Sequence, residues 1–374
     1  MGHSLHCLNI RGDFMSNRVK RSDMRRLADY REWLRKNPQL TYLFFELTDA
    51  CNLSCLHCGS NACPENRTFL PLGSIKTVLK QVANAFDPQG IMICLSGGEP
   101  LLHPHFFEIA AYVGECGFPC GITTNGTCIN PEVASKIVES GIRSVTISLD
   151  GMEDTHDWFR NKEGSFRKTV QGVRNLLTAS NGKVLIQITT VVHRRNFHQL
   201  EELFEFVSGL GINSWRVINL EPIGRALDNR ELLLDPGQFR ALLTFIREKR
   251  YSSQIQMDIT YGCSHYLTME FERTVRDNYF LCGSGILVAS ILCNGDIYSC
   301  LDIERRPELV QGNINQDNFV DIWENGFQVF RRNRTLDSEM CRNCPDKAFC
   351  SADAGHTWDY DKNQPLLCVK KRLG

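Results

Sequence analysis

The sequence predicts an α/β fold: a partial (β/α)6 barrel of the TIM type, followed by a smaller cysteine-rich C-terminal domain. Three observations carry this. Between residues 42 and 250, short apolar runs alternate with amphipathic stretches, the pattern of parallel strands covered by helices. Beyond residue 255 the element signals shorten and cysteines return. With 374 residues, 42% of them apolar and 23% charged, the chain has material for one large domain or two ordinary ones around a full core. The expected division is an N-terminal arm over 1–41, a barrel over 42–250 and a C-terminal domain over 255–374.

In the arm, residues 24–36 have helical spacing, with Leu27, Tyr30 and Leu34 on one face and arginine and lysine on the other. This suits a helix packed across the outside of a domain, or a contact for a substrate or partner. The barrel opens with a strand over 43–47. Helices are expected over 74–86, 104–115, 131–140, 165–179, 200–209 and 236–249, and strands over 91–95, 120–124, 145–149, 184–192 and 215–219. Pro131 stands at a helix start, where its missing N–H costs nothing. Six units leave the barrel open, and an active site belongs at the C-terminal ends of its strands.

The unusual residues fall at those ends. Cys51-x3-Cys55-x2-Cys58 follows the first strand, Ser96-Gly97-Gly98-Glu99-Pro100 the second, Thr124-Asn125-Gly126 the third, and Ser148-Leu149-Asp150-Gly151 the fourth. Three thiolates at this spacing suit one face of a cubane iron–sulfur cluster and leave one iron open. Half of a zinc site, or a disulfide cluster, is the alternative for such a run. Gly97 and Gly98 allow close backbone approach, and Glu99 and Asp150 are acceptors suited to an amine or to ribose hydroxyls.

Seventeen cysteines in tight groups, within a long chain of regular elements, read as metal ligands in a reducing cytoplasm rather than a secreted disulfide framework. A formal net charge of −1 gives no basic field for nucleic acid. The uncharged stretch over 282–294 is too short and glycine-rich to span a bilayer, so no transmembrane segment is expected. The first residues lack a signal-peptide core.

Cys51-x3-Cys55-x2-Cys58 together with Gly97-Gly98-Glu99-Pro100 resembles the radical S-adenosylmethionine (SAM) superfamily. The resemblance implies a [4Fe-4S] cluster whose open iron is chelated by the methionine part of SAM. It places the SAM amino group against Gly98 and Glu99, and the ribose and methionyl parts near Asn125, Ser148 and Asp150. It puts His57 on the adenine side, and Arg216 and the 222–225 turn at the closing edge of the pocket. His156-Asp157-x2-Arg160 and Gly164-Ser165-Phe166 are similar to the subgroup that modifies peptides and proteins, although Asn161 stands where glycine is usual. Arg160 suits a substrate or cofactor carboxylate. A helix-capping loop is the alternative for this block.

In the C-terminal domain, Asn294-Gly295 marks a tight hairpin between Cys282 and Cys300. Cys341, Cys344, Cys350 and Cys368 make a four-thiolate set that zinc also accepts. The layout is similar to the SPASM extension, which implies one complete auxiliary [4Fe-4S] cluster on those four. It implies a second auxiliary cluster on Cys282, Cys300 and Cys263 with an incomplete ligand set, because Ala354 stands where a thiolate is expected. Three outcomes stay open at this point: an open iron, a substitute ligand from Cys293, Asp353 or His356, or no such cluster. Asp302 is the candidate base near Cys300, with a surface turn acid as its alternative.

The activity implied is generation of a 5′-deoxyadenosyl radical to oxidise a ribosomally made peptide or protein. A flavodoxin- or ferredoxin-type donor is the implied electron source. A small-molecule or tetrapyrrole-pathway substrate, or sulfatase maturation, is the alternative, and a non-catalytic zinc or redox-binding protein is the alternative outside enzymes.

Overall fold

The structure, a computed structural model, describes residues 21–252 and 256–374. The first 20 residues of the expected arm lie outside the described residues. The chain runs α1 (Arg21–Lys36), β1 (Tyr42–Glu46), α2 (Leu72–Ala85), β2 (Met92–Ser96), α3 (Phe106–Glu115), β3 (Cys120–Thr124), α4 (Pro131–Glu139), β4 (Ser144–Ser148), α5 (Glu153–Arg160), α6 (Ser165–Ser180), β5 (Leu185–Val192), α7 (Leu200–Gly209), β6 (Ser214–Asn219) and α8 (Pro236–Arg250). Strands β1 to β6 pair in parallel in sequence order. They form the partial barrel that the periodicity predicts.

The helices follow from their spacing. Ile75, Val78, Leu79 and Val82 in α2, Leu200, Leu203, Phe204 and Val207 in α7, and Phe239, Leu242, Leu243 and Ile246 in α8 recur at i, i+3, i+4 and i+7, and all are buried. Asn130 caps α4 through the Val133 N–H. Asp235 and Gln238 close a capping box on α8.

The sheet extends beyond six strands. After α8, β7 (Asp258–Tyr261) adds in parallel to β6. At the other edge β8 (Val288–Ile291) pairs in parallel with β1, and β9 (Asp296–Tyr298) and β10 (Gly312–Asn313) continue antiparallel. The hairpin expected around Asn294-Gly295 is thus β8–β9, and it is built onto the barrel sheet. One ten-stranded sheet with open edges at β10 and β7 results.

Helix α1 lies against the C-terminal part. Its buried face is Met24, Arg31 and Leu34, whereas Tyr30, expected on the apolar face, is exposed. Arg31 donates to the carbonyls of Phe349 and Phe280. Burial lowers its pKa to about 10 despite nearby Glu272. Met24 packs with Tyr266, Phe280 and Phe349.

Candidate active site

The C-terminal ends of β2, β3 and β4 and the loop after β1 enclose a cavity of about 180 Å³. Its lining includes Cys51, Cys55, His57, Cys58, Gly97, Gly98, Asn125, Ser148, Arg160 and Arg225. The loop carrying the three cysteines is held on all sides. The Gly98 and Glu99 amides donate to the carbonyls of Thr48 and Ala50 (2.7 and 2.9 Å), and the Cys51 amide to the Cys63 carbonyl (3.1 Å). The Arg225 guanidinium donates to the carbonyls of Cys55 and Ala62 (2.7 and 2.9 Å). The Arg225 amide bonds the Cys58 carbonyl (3.1 Å). Asn229 reaches the Leu56 carbonyl (3.0 Å).

Gly98 explains its own identity. A Cβ there would stand 2.2 Å from the Ala50 carbonyl oxygen. The glycine lets β2 lie flat on the cysteine loop, which the sequence alone read as room for a ligand. Pro100 is buried and opens the short turn 100–102.

Polar groups meet all three sulfurs, Cys58 Sγ lying 3.5 Å from the Ser60 hydroxyl. The Leu53 amide lies 3.4 Å from Cys51 Sγ, the Asn125 side-chain nitrogen 3.9 Å from it, and Arg160 Nη1 3.6 Å from Cys55 Sγ. Burial raises the thiol pKa of Cys51 and Cys55. Donors set around three converging thiols fit a thiolate-held cluster.

Two carboxylates differ from the expected arrangement. Neither Glu99 nor Asp150 lines the cavity. Glu99 is fully buried; its Oε1 accepts from Thr124 Oγ1 (2.7 Å) and the Leu101 amide (3.2 Å), and its Oε2 from the Asn125 amide (2.8 Å). It braces β2 to β3. Asp150 accepts from the Val191 amide (2.7 Å) and pairs with Arg160. Arg160 does line the cavity, but its guanidinium is shared between Asp150 and Cys55. Against the opposing effect of burial, Asp150 and Cys55 hold its pKa up.

The neighbouring motif residues are structural. His156 Nδ1 accepts the Asp150 amide (3.0 Å), and the Asp157 carboxylate caps α6 through the Gly164 and Phe166 amides and the Ser165 hydroxyl. Arg216 is not at the cavity either; it donates to the Gly262 carbonyl (3.1 Å).

His57 sits at the cavity wall with its ring stacked on Phe159 at 4.1 Å, and Phe159 stacks in turn on His193 at 4.1 Å. Burial drives both imidazoles toward the neutral form. His193 stands in no motif of the sequence; the signal that would have found it is Phe159, one residue before Arg160, on which it stacks.

The C-terminal thiols fall into two groups. Cys341, Cys344, Cys350 and Cys368 lie near enough for their thiolates to repel one another. Cys282 and Cys300 form the second group, with Ser284 between them. Although burial opposes it, Arg334 and the Gly355 amide, 3.3 Å from the sulfur, lower the Cys282 pKa. Cys263 packs beside Glu221 and donates to the Asn219 carbonyl (3.9 Å).

Residue 354 offers only a buried methyl group. The substitutes expected from sequence are engaged elsewhere: Cys293 beside Glu46 and Arg305, Asp353 with the Tyr266 amide and His265, and His356 with Glu221. Asp302 is exposed in a turn, with its carboxylate 4.0 Å from Cys300 Sγ.

Comparison with known proteins agrees with this geometry. The pattern of the Radical SAM superfamily matches residues 45–207, and that of SPASM, an iron-sulfur cluster-binding domain, residues 282–345. The mycofactocin maturase MftC of Mycolicibacterium smegmatis is 30% identical over 81% of this chain and 74% of its own length. The chain belongs to the radical SAM superfamily. It carries a C-terminal SPASM-like region, and this architecture implies iron–sulfur clusters. The AdoMet-dependent heme synthase of Methanosarcina barkeri is 29% identical over 87% of this chain and 95% of its own length. Among solved structures, Streptococcus suis SuiB bound to its precursor peptide SuiA has the same fold, with a TM-score of 0.68 and 18% identity over 87% of this chain and 74% of that one. Among the described residues of this radical SAM enzyme, no helix is long and apolar enough to cross a membrane.

Proposed function

We propose that this radical SAM enzyme oxidatively modifies a ribosomally made peptide or protein, forming a crosslink, a thioether or an unsaturation. The observation that carries the oxidative part is the 221–225 loop. At one end Arg225 holds the carbonyls of Cys55 and Cys58. At the other, Glu221 pairs with His356, next to the Gly355 amide that meets Cys282 Sγ. A single short loop therefore fixes the spacing between the cavity and the C-terminal thiols, where an electron acceptor for a net oxidation would sit.

Cys51, Cys55 and Cys58 would hold the [4Fe-4S] cluster, which when bound supplies one-electron cleavage of SAM to a 5′-deoxyadenosyl radical. The remaining residues bind and orient. Gly97, Gly98, Asn125 and Ser148 shape the wall that faces the thiols, and the His57–Phe159 stack presents a flat, neutral surface. Arg160 keeps a positive charge on Cys55. Cys341, Cys344, Cys350 and Cys368 would hold a complete auxiliary cluster. Cys282 and Cys300, with Cys263 beside Glu221, would make an incomplete set.

The peptide assignment is supported by SuiB, of the same fold, which holds a precursor peptide, and by the relationship to a mycofactocin maturase. A flavodoxin- or ferredoxin-type electron donor belongs to the same proposal. A second reading, a tetrapyrrole or other small molecule, is favoured by the heme synthase, which aligns over 95% of its own length.

The test is anaerobic incubation of reconstituted enzyme with reductant and SAM, first alone and then with a short peptide encoded next to the gene or with an iron porphyrin. Formation of 5′-deoxyadenosine and loss of two hydrogens from the peptide is the expected result. Oxidation of the porphyrin with the peptide unchanged selects the second reading. Absence of 5′-deoxyadenosine under every condition refutes both.

A further inference from the structure

Three side chains from distant segments meet beside Cys263. Glu221 follows β6, His265 follows β7, and His356 lies just after Ala354. Glu221 and His265 are buried, and the His356 side chain is only 11% exposed. Both imidazoles turn the same nitrogen, Nε2, toward one carboxylate. Glu221 Oε1 faces His265 Nε2, and Oε2 stands 2.5 Å from His356 Nε2. The three ligand atoms lie within 4.8 Å of one another.

Behind them, His265 Nδ1 is 3.1 Å from Asp353 Oδ2, and the other oxygen of Asp353 accepts the Tyr266 amide (3.1 Å). A carboxylate on the far nitrogen is how metal-bound histidines are characteristically oriented. A divalent cation entering the site would take the place of the protons that Glu221 and Asp353 otherwise hold on the two imidazoles.

We propose that Glu221, His265 and His356 form a mononuclear site for a divalent first-row transition ion, with Asp353 as the outer carboxylate. Two imidazoles and one carboxylate suit zinc, iron(II) or manganese, whereas an iron–sulfur cluster takes thiolates. Three protein ligands also leave coordination positions for water or a substrate oxygen. The site ties the loop that steadies the cysteine run to the segment that meets Cys282.

The probe is zinc. Anaerobically reconstituted protein is given one equivalent of Zn²⁺, desalted, and measured for zinc and iron per chain and by zinc K-edge absorption. The expected result is one zinc per chain with only nitrogen and oxygen neighbours at about 2.0–2.1 Å. Glu221→Gln and His356→Ala should each lower zinc retention by at least about tenfold, since disturbing an outer ligand alone costs ~10–100-fold, with iron per chain unchanged. The joint variant Cys282→Ser/Cys300→Ser should keep the same zinc shell, which preserves the test if Glu221→Gln misfolds. No retained zinc, sulfur neighbours at about 2.3 Å, or zinc retention indifferent to His356→Ala overturns the proposal.

Discussion

Replacing Gly98 by alanine isolates what the glycine pair contributes. The added Cβ would lie 2.2 Å from the Ala50 carbonyl oxygen, 2.7 Å from its carbon and 3.0 Å from Ala62 Cβ. Two of these three are backbone atoms, so no side-chain rotation relieves them. Reaching ordinary contact requires the cysteine loop to retreat from β2 by roughly 1 Å, and overpacking of this kind costs about 1–3 kcal/mol. The retreat also stretches the Glu99 amide bond to the Ala50 carbonyl, worth about 0.5–1.5 kcal/mol. Together about 1.5–4.5 kcal/mol is lost, centred one residue before Cys51. The assay is iron per chain after anaerobic reconstitution, read beside thermal unfolding. Gly98→Ala should hold less iron and unfold on the order of 5 °C earlier. Gly114→Ala is the control: its Cβ meets nothing within 4 Å in α3, so it should be neutral or stabilising by about 0.4–1 kcal/mol. Full iron content and unchanged unfolding in Gly98→Ala would refute the close-packing argument.

Arg160→Gln strands the fully buried Asp150 carboxylate. It should cost about 3–5 kcal/mol in denaturant unfolding, much of it recovered in the double variant Arg160→Gln/Asp150→Asn; a single variant as stable as the parent contradicts the pairing. Burial raises the Glu99 pKa from 4.5 to about 7. The folded state therefore binds that proton more tightly than the unfolded one, and the resulting stability is fully present below the unfolded value and lost as pH rises through the folded one. Between about pH 5 and pH 8 the parent should lose up to about 3 kcal/mol relative to Glu99→Gln, and a gap that does not vary with pH argues against it. Changing Cys51, Cys55 and Cys58 together to alanine should abolish 5′-deoxyadenosine formation. Changing Cys341 and Cys344 should leave some of it while blocking product formation, and chromatography of both products decides.

The barrel was legible because its residues repeat. Apolar positions at helical spacing in α2, α7 and α8 and β-rich runs between them have one reading, and Pro131 marks one helix start. Strand β7 was not legible because four residues with only Ile259 and Tyr261 buried carry too short a pattern. The parallel pairing of β8 with β1 was hidden for another reason. A hairpin signal is local, whereas Val288 and Tyr42 are brought together by everything folded between them.

The site shows the same division between residue type and partner. Sequence spacing brings Cys51, Cys55 and Cys58 to one wall because nothing intervenes in eight residues. It selects Glu99, Asp150 and Arg160 as polar residues at strand ends, and all three are at strand ends or in the helix just beyond. What it cannot supply is the competition for their atoms. Thr124, Leu101 and Asn125 reach Glu99 first, and Asp150 takes part of Arg160. A buried carboxylate is retained only where donors satisfy it, so a strand-end acid that looks poised for a ligand is equally suited to locking two strand ends together. In this enzyme that locking has a chemical consequence. The donors that fix Glu99 position Asn125, whose side chain reaches Cys51, and the acid that fixes Arg160 sets a cation on Cys55. The carboxylates thus act on the cavity at one remove, by deciding which positive and polar groups face the sulfurs.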